Sequence, residues 1–114
     1  MNNKYKPITF ICMNLDCGGT EKTITNLAFY YSKINISTSI ITLGSAKLFS
    51  GFKVSTKTEI IELKKKYTSF LFSRFMNYLY WISEINKYMK KNNNSIYISF
   101  LSVPNILTII AALN

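Results

Sequence analysis

Short apolar runs alternate along the chain with stretches whose apolar positions recur at helical spacing. Ile8 to Asn14 (ITFICMN) is rich in β-branched and aromatic residues and reads as a buried strand. Leu15 to Gly19 follows as a tight loop. Next comes a helix from Thr20 to Lys33, with an apolar stripe of Ile24, Leu27, Ala28 and Tyr31. Thr20 is expected to cap it, and Glu21 in its first turn suits the positive end of the helix dipole. Ser37 to Leu43 (STSIITL) reads as a second strand, Gly44 to Thr58 as a polar loop, and Glu59 to Leu63 (EIIEL) as a third strand near a sheet edge. From Ser69 to Lys91 the spacing of Leu71, Phe75, Leu79, Ile82, Ile85 and Met89 predicts a long helix with that stripe facing the core. Asn92 to Asn94 end it as a turn, and Ser95 to Phe100 (SIYISF) reads as a fourth strand. A last helix begins at Ser102 or Val103, with Pro104 in its first turn, and runs into the almost wholly apolar Ile106 to Leu113.

Apolar strands alternating with helices predict an α/β fold: a Rossmann-like parallel sheet with helices on both faces. Neither an internal repeat nor a linker divides residues 1–114. The apolar final helix has nothing after it to cover it, so the domain is expected to be incomplete.

Charge changes this picture more than composition does. Fourteen Lys and Arg face five Asp and Glu, a net charge of +9, which suggests an anionic partner: nucleic acid, anionic lipid or a phosphorylated substrate. The alternative is a basic surface of solvated lysines. The chain has no histidine, which removes the commonest general base and zinc ligand. Cys12 lies within an apolar run and Cys17 in the loop after it. Their spacing matches neither a zinc site nor a redox dithiol, which suggests a reduced, intracellular protein. The run from Ile8 to Met13 is too short for a secretory signal, and no window approaches the ~18 apolar residues of a membrane span.

The stretch with most chemical content is Asp16-Cys17-Gly18-Gly19-Thr20-Glu21-Lys22-Thr23, between the first strand and first helix. Free backbone N–H groups and the helix dipole gather there, and glycines let a ligand approach the backbone. A plain βα turn has the same composition. A dinucleotide fingerprint is ruled out because Gly18 and Gly19 are adjacent and no third glycine follows. The loop comes close to the Gly-Gly-x-Gly-Lys-Thr variant of partition-type P-loop ATPases. Glu21, however, stands where that loop has glycine, and no strand ends in an Asp suited to magnesium. A strand, then Gly18-Gly19-Thr20-Glu21-Lys22, then a helix continuing into Asn26-Leu27-Ala28 resembles the family 4 glycosyltransferases of the GT-B fold. Ser39 to Leu43 looks like that family's second strand. Ile98 to Leu101, followed by Pro104 to Leu107, looks like its fourth strand and next helix, so the resemblance spans nearly the whole chain.

The resemblance implies the N-terminal, acceptor-side portion of a retaining GT-B enzyme. The donor half, with its basic pair and Glu-x7-Glu motif, would lie outside these residues, so no catalytic residue is expected in this chain. It implies transfer of a sugar from a nucleotide-sugar donor to a glycan or lipid-linked acceptor in surface-polysaccharide or glycan assembly, with no metal and no further cofactor. Gly18, Gly19, Thr20 and Glu21 would border the substrate. Ser99, Ser102 and Asn105, at the carboxyl end of the fourth strand, would either join them or, for Ser102 and Asn105 above all, cap the helix.

A membrane or acceptor contact is expected elsewhere. Lys64, Lys65 and Lys66 precede the long helix, and Arg74, Tyr80, Trp81, Tyr88 and Lys91 lie off its predicted core stripe, as at a membrane interface. A cytoplasmic protein, peripheral at the inner membrane surface, follows as the expectation. Aromatic and basic groups also suit single-stranded nucleic acid, but no RNA-binding signature accompanies them, and no nucleic-acid partner is expected. The reading outside catalysis is a non-enzymatic module for anionic lipid or phosphate.

Overall fold

The structure, a computed structural model, describes residues 4–16, 18–48, 51–68 and 71–114. Cys17 and Ser69, the expected start of the long helix, lie outside the described residues. The elements are β1 (Ile8–Cys12), α1 (Gly19–Lys33), β2 (Thr38–Thr42), β3 (Glu59–Glu62), α2 (Ser73–Lys91), β4 (Ile96–Ser99) and α3 (Ser102–Leu113). The strands form one sheet in the order β3-β2-β1-β4, every pair parallel. β1 is central and buried throughout, as its unbroken apolar run requires.

Alternation along the strands sends side chains to two separate cores. Phe10, Cys12 and Ile40 pack beneath Ile24 and Ala28 of α1, with Leu27 and Tyr31 partly buried beside them. Ile11, Ile41 and Leu43 pack against Trp81 and Ile85 of α2 and Leu107 and Ala111 of α3 on the opposite face. The fold is thus three layers, with α1 on one side of the sheet and α2 with α3 on the other.

α2 differs from its sequence reading in rotation. Its buried residues are Asn77, Trp81 and Ile85, spaced four apart, while Leu71, Phe75 and Leu79 are exposed. Only the C-terminal half of the expected stripe, Ile82, Ile85 and Met89, reaches the core. The expectation that Trp81 lies on an outer face is therefore corrected: it is 2% exposed, the largest side chain of the second core. Its indole Nε1 donates to the Lys64 carbonyl at 2.8 Å, so the ring is buried with its polar atom satisfied. Asn77 is buried for the same kind of reason. Its Oδ1 accepts from the N–H groups of Lys66 at 3.0 Å and Tyr67 at 2.9 Å, and its Nδ2 donates to the Tyr67 carbonyl at 2.8 Å.

Two capping expectations are also corrected. The N-cap of α1 is Gly18, not Thr20, and that of α3 is Leu101, not Ser102 or Asn105; neither helix start has a side-chain cap.

Candidate functional site

The strand order sets where a ligand can approach. β1 leads through α1 to β2 and then β3 on one side, after which α2 carries the chain across to β4 on the other side of β1. The direction of winding reverses between β1 and β4, and in open α/β sheets the crevice outside the carboxyl ends at such a point is where ligands bind. The ladder continues past the strand ends there: Gly44 N–H donates to the Met13 carbonyl at 2.8 Å and Phe100 N–H to the Ile11 carbonyl at 3.0 Å.

The glycine loop lies on one lip of this crevice. Gly18 begins α1 with an extended backbone, and its carbonyl accepts from Lys22 N–H at 3.1 Å. The Glu21 carboxylate folds back over Gly18, filling the place where a Cβ on that residue would stand; Gly19 has open space at the same position. A Cβ at Gly18 would meet only the far end of the flexible Glu21 side chain, and the open face at Gly19 leaves backbone accessible. Thr20 sits within the first turn of α1.

The turn after β4 forms the neighbouring lip. Ser99 Oγ donates to Asn105 Oδ1 at 2.6 Å, joining the end of β4 to the first turns of α3. Ser102 is exposed at the first position of that helix. Between them Leu101 has φ 73° and ψ 169°, a region in practice open only to glycine, so the backbone here is strained. The sequence does not signal this strain, since leucine carries no turn preference.

On the α2 and α3 side, a cavity of about 390 Å³ opens at the same edge. Met13 after β1 and Val103 of α3 form its wall at the switch point, Tyr78 and Trp81 its aromatic wall, and Lys65 and Arg74 its charged lining. The lysine run does not act as one patch. Lys64 pairs with Glu62 at 3.1 Å, and Lys66 lies 5.4 Å from the Tyr80 ring centroid and 5.8 Å from that of Tyr67. Lys65 alone of the three lines the cavity. Sequence reasoning singled out Lys65, Arg74 and Trp81 but not the cavity joining them. It missed Asn77, whose signal was a short amide four residues before a tryptophan on one helical face.

Electrostatics divide the two sides. Burial, reinforced by the nearby Glu21 carboxylate, pushes the Cys12 thiol up to about 12, which disfavours the thiolate there. The hydrogen bond from Ala46 N–H at 2.6 Å, with Lys64 beside it, holds the Glu62 carboxyl below its ordinary value and ties the loop after β2 to the end of β3. Among the described residues no group of three or more acidic, cysteine or histidine side chains is arranged to hold a metal ion. None of their helices is long and apolar enough to cross a membrane.

No protein-family model and no curated protein matches this chain.

Proposed function

We propose that this chain is the acceptor-side part of a GT-B glycosyltransferase of family 4, moving a sugar from a nucleotide-sugar donor to a glycan or lipid-linked acceptor. The observation that carries the reading is the Gly18-Gly19 loop, which follows the central strand of an all-parallel sheet where the strand order reverses. Gly18, Gly19, Thr20 and Glu21 face the donor half across the cleft, with Ser99, Ser102 and Asn105 on the adjoining lip. A carboxylate folded over Gly18 suits sugar hydroxyls, which donate hydrogen bonds, better than it suits a phosphate. The same carboxylate disfavours a partition-type ATPase, whose phosphates would meet it.

The test is a transfer assay with labelled nucleotide sugars and membrane or glycan extracts. It uses the 114-residue chain alone and the protein encoded when the reading frame is followed beyond Asn114. The longer protein is expected to contain a Glu-x7-Glu motif and to transfer sugar, and the 114-residue chain to transfer none, because donor and acceptor must be held together. Turnover by the short chain alone, or a longer protein lacking both the motif and transfer, overturns the proposal.

A second reading, a peripheral module for anionic lipid at the inner membrane surface, is favoured by the outward face of α2 and the turn that leads into it. Leu71 and Phe72 of that turn are exposed, Leu71 at 97%, as are Phe75 and Leu79 of the helix beside Arg74. Sedimentation with neutral and anionic vesicles separates this reading from the first, since a lipid module binds vesicles without any sugar transfer.

A further inference from the structure

We infer that the cavity between the β3–α2 segment and the start of α3 is a binding site for a phosphate ester or diphosphate. The phosphate is held between Lys65 and Arg74, and the organic part lies against Met13, Tyr78 and Val103. Three observations lead to this. The cavity's charged lining is wholly cationic: none of Asp16, Glu21, Glu59, Glu62 or Glu84 lines it, and neither Lys65 nor Arg74 has an ion-pair partner among the described residues. Two uncompensated cations facing one concavity favour an anion strongly, and Arg adds a planar fork that matches phosphate oxygens.

The basic segment is also held in place before any ligand arrives. Trp81 Nε1 fixes the Lys64 carbonyl, and Asn77 fixes the backbone of Lys66 and Tyr67, so Lys65 is bracketed by anchored residues. Anchoring of this kind lowers the ordering penalty on binding. Finally, the rest of the wall mixes apolar and aromatic side chains with the polar Thr68, Ser73 and Asn77, and a volume of about 390 Å³ fits a small organic molecule, not a bare ion. The cavity meets the carboxyl ends of β1 and β4 at the switch point. Only in identifying this ligand with the sugar acceptor does the inference rest on the transferase reading.

Trp81 is the only tryptophan and lines the cavity, so its emission reports occupancy directly. The wild-type chain is titrated with sodium pyrophosphate and with hexyl phosphate at low salt. Separately, it is sedimented with phosphatidylcholine vesicles with and without phosphatidic acid. Lys65→Gln and Arg74→Gln change exposed side chains and are compared with Lys57→Gln in the loop before β3, at the opposite edge of the sheet. Circular dichroism establishes that each variant is folded.

A saturable response to a soluble phosphate is expected, weakened about tenfold or more in each cavity variant and unchanged in Lys57→Gln. A response confined to phosphatidic acid vesicles, and lost in the same variants, supports the same site with a lipid headgroup as its source. No saturable response to any probe by folded protein, or equal binding by wild type, Lys65→Gln and Arg74→Gln, overturns the inference. Phosphate binding without transfer by the longer protein would sink the transferase reading and leave the cavity assignment standing; transfer without phosphate binding would do the reverse.

Discussion

Replacing Asn77 with alanine should be far more damaging than an asparagine in a helix ordinarily suggests. Asn77 is 3% exposed and makes three hydrogen bonds, two accepted from Lys66 and Tyr67 and one donated to Tyr67. Each is worth about 0.5–1.5 kcal/mol net, and removing one partner leaves the other in need of water. The sum is roughly 1.5–4.5 kcal/mol. The higher helix propensity of alanine returns about 0.5 kcal/mol, and the cavity beside the site admits water to some of the freed groups. A loss of about 2–3 kcal/mol is therefore expected, read as a shift in the urea midpoint at unchanged slope. Hydrogen exchange at the Lys66 and Tyr67 amides should accelerate beyond the global change, because these two lose their acceptor. Asn77→Asp keeps both accepted bonds and should retain protection at those amides, although it turns an acceptor towards the Tyr67 carbonyl. If Asn77→Ala lies within about 0.5 kcal/mol of wild type, the clamp between α2 and the lysine segment is not what buries this residue.

Leu101→Gly should be neutral or stabilising by about 1 kcal/mol: strain of roughly 1–3 kcal/mol at φ 73° is relieved, against the extra freedom of glycine when unfolded. A urea titration checks this, and a clear destabilisation would show that the turn is not strained. For Cys12, the folded thiol is pushed up to about 12 from an ordinary 9.0, so the native state keeps a proton that the unfolded chain releases. Its contribution to stability is complete below pH 9.0 and declines as pH rises towards 12, by about 1.4 kcal/mol per pH unit. Urea midpoints measured from pH 8 to pH 11 (roughly the span over which this linkage develops) should therefore fall more steeply for wild type than for Cys12→Ala. Parallel curves would refute the assignment.

The strands and the βα loop were legible because their signals are local. A β-branched run such as ITFIC has one plausible structure, and a Gly-Gly pair before a helix leaves little choice for the turn. The lateral order β3-β2-β1-β4 depends on contacts distant in sequence and does not appear in any local pattern. The misread rotation of α2 has a specific cause. Hydropathy spacing ranks Leu71, Phe75 and Leu79 above an asparagine and a tryptophan with a polar edge. Asn77 and Trp81 nonetheless face inward because their own polar atoms, once buried, find hydrogen-bond partners in the backbone of the Lys64 to Tyr67 segment. Periodicity counts apolar area and is blind to that requirement. Thr20 was misplaced for a related reason: side-chain chemistry favours it as a cap, but helical geometry begins at Gly19, where the Glu21 carboxylate turns back over Gly18.

The corrected rotation changes what the net charge of +9 means. As one solvent-facing plane, Lys64, Lys65 and Lys66 would act additively on an anionic surface, about 1 kcal/mol each, and salt would remove most of that attraction. In the fold their tasks differ: Lys64 neutralises Glu62, Lys66 stacks near two tyrosine rings, and Lys65 lines a concavity with Arg74. Charges gathered in a concave, partly apolar site are screened less than charges on a convex surface, because field lines run through protein as well as solvent. Anion binding by the cavity should consequently depend on two residues and retain a measurable part of its strength as salt rises. Adsorption through a polybasic face would depend on all four cations alike and fade over a few multiples of physiological ionic strength. Comparing the salt dependence of Lys65→Gln with that of Lys64→Gln thus distinguishes a built anion site from a merely basic exterior.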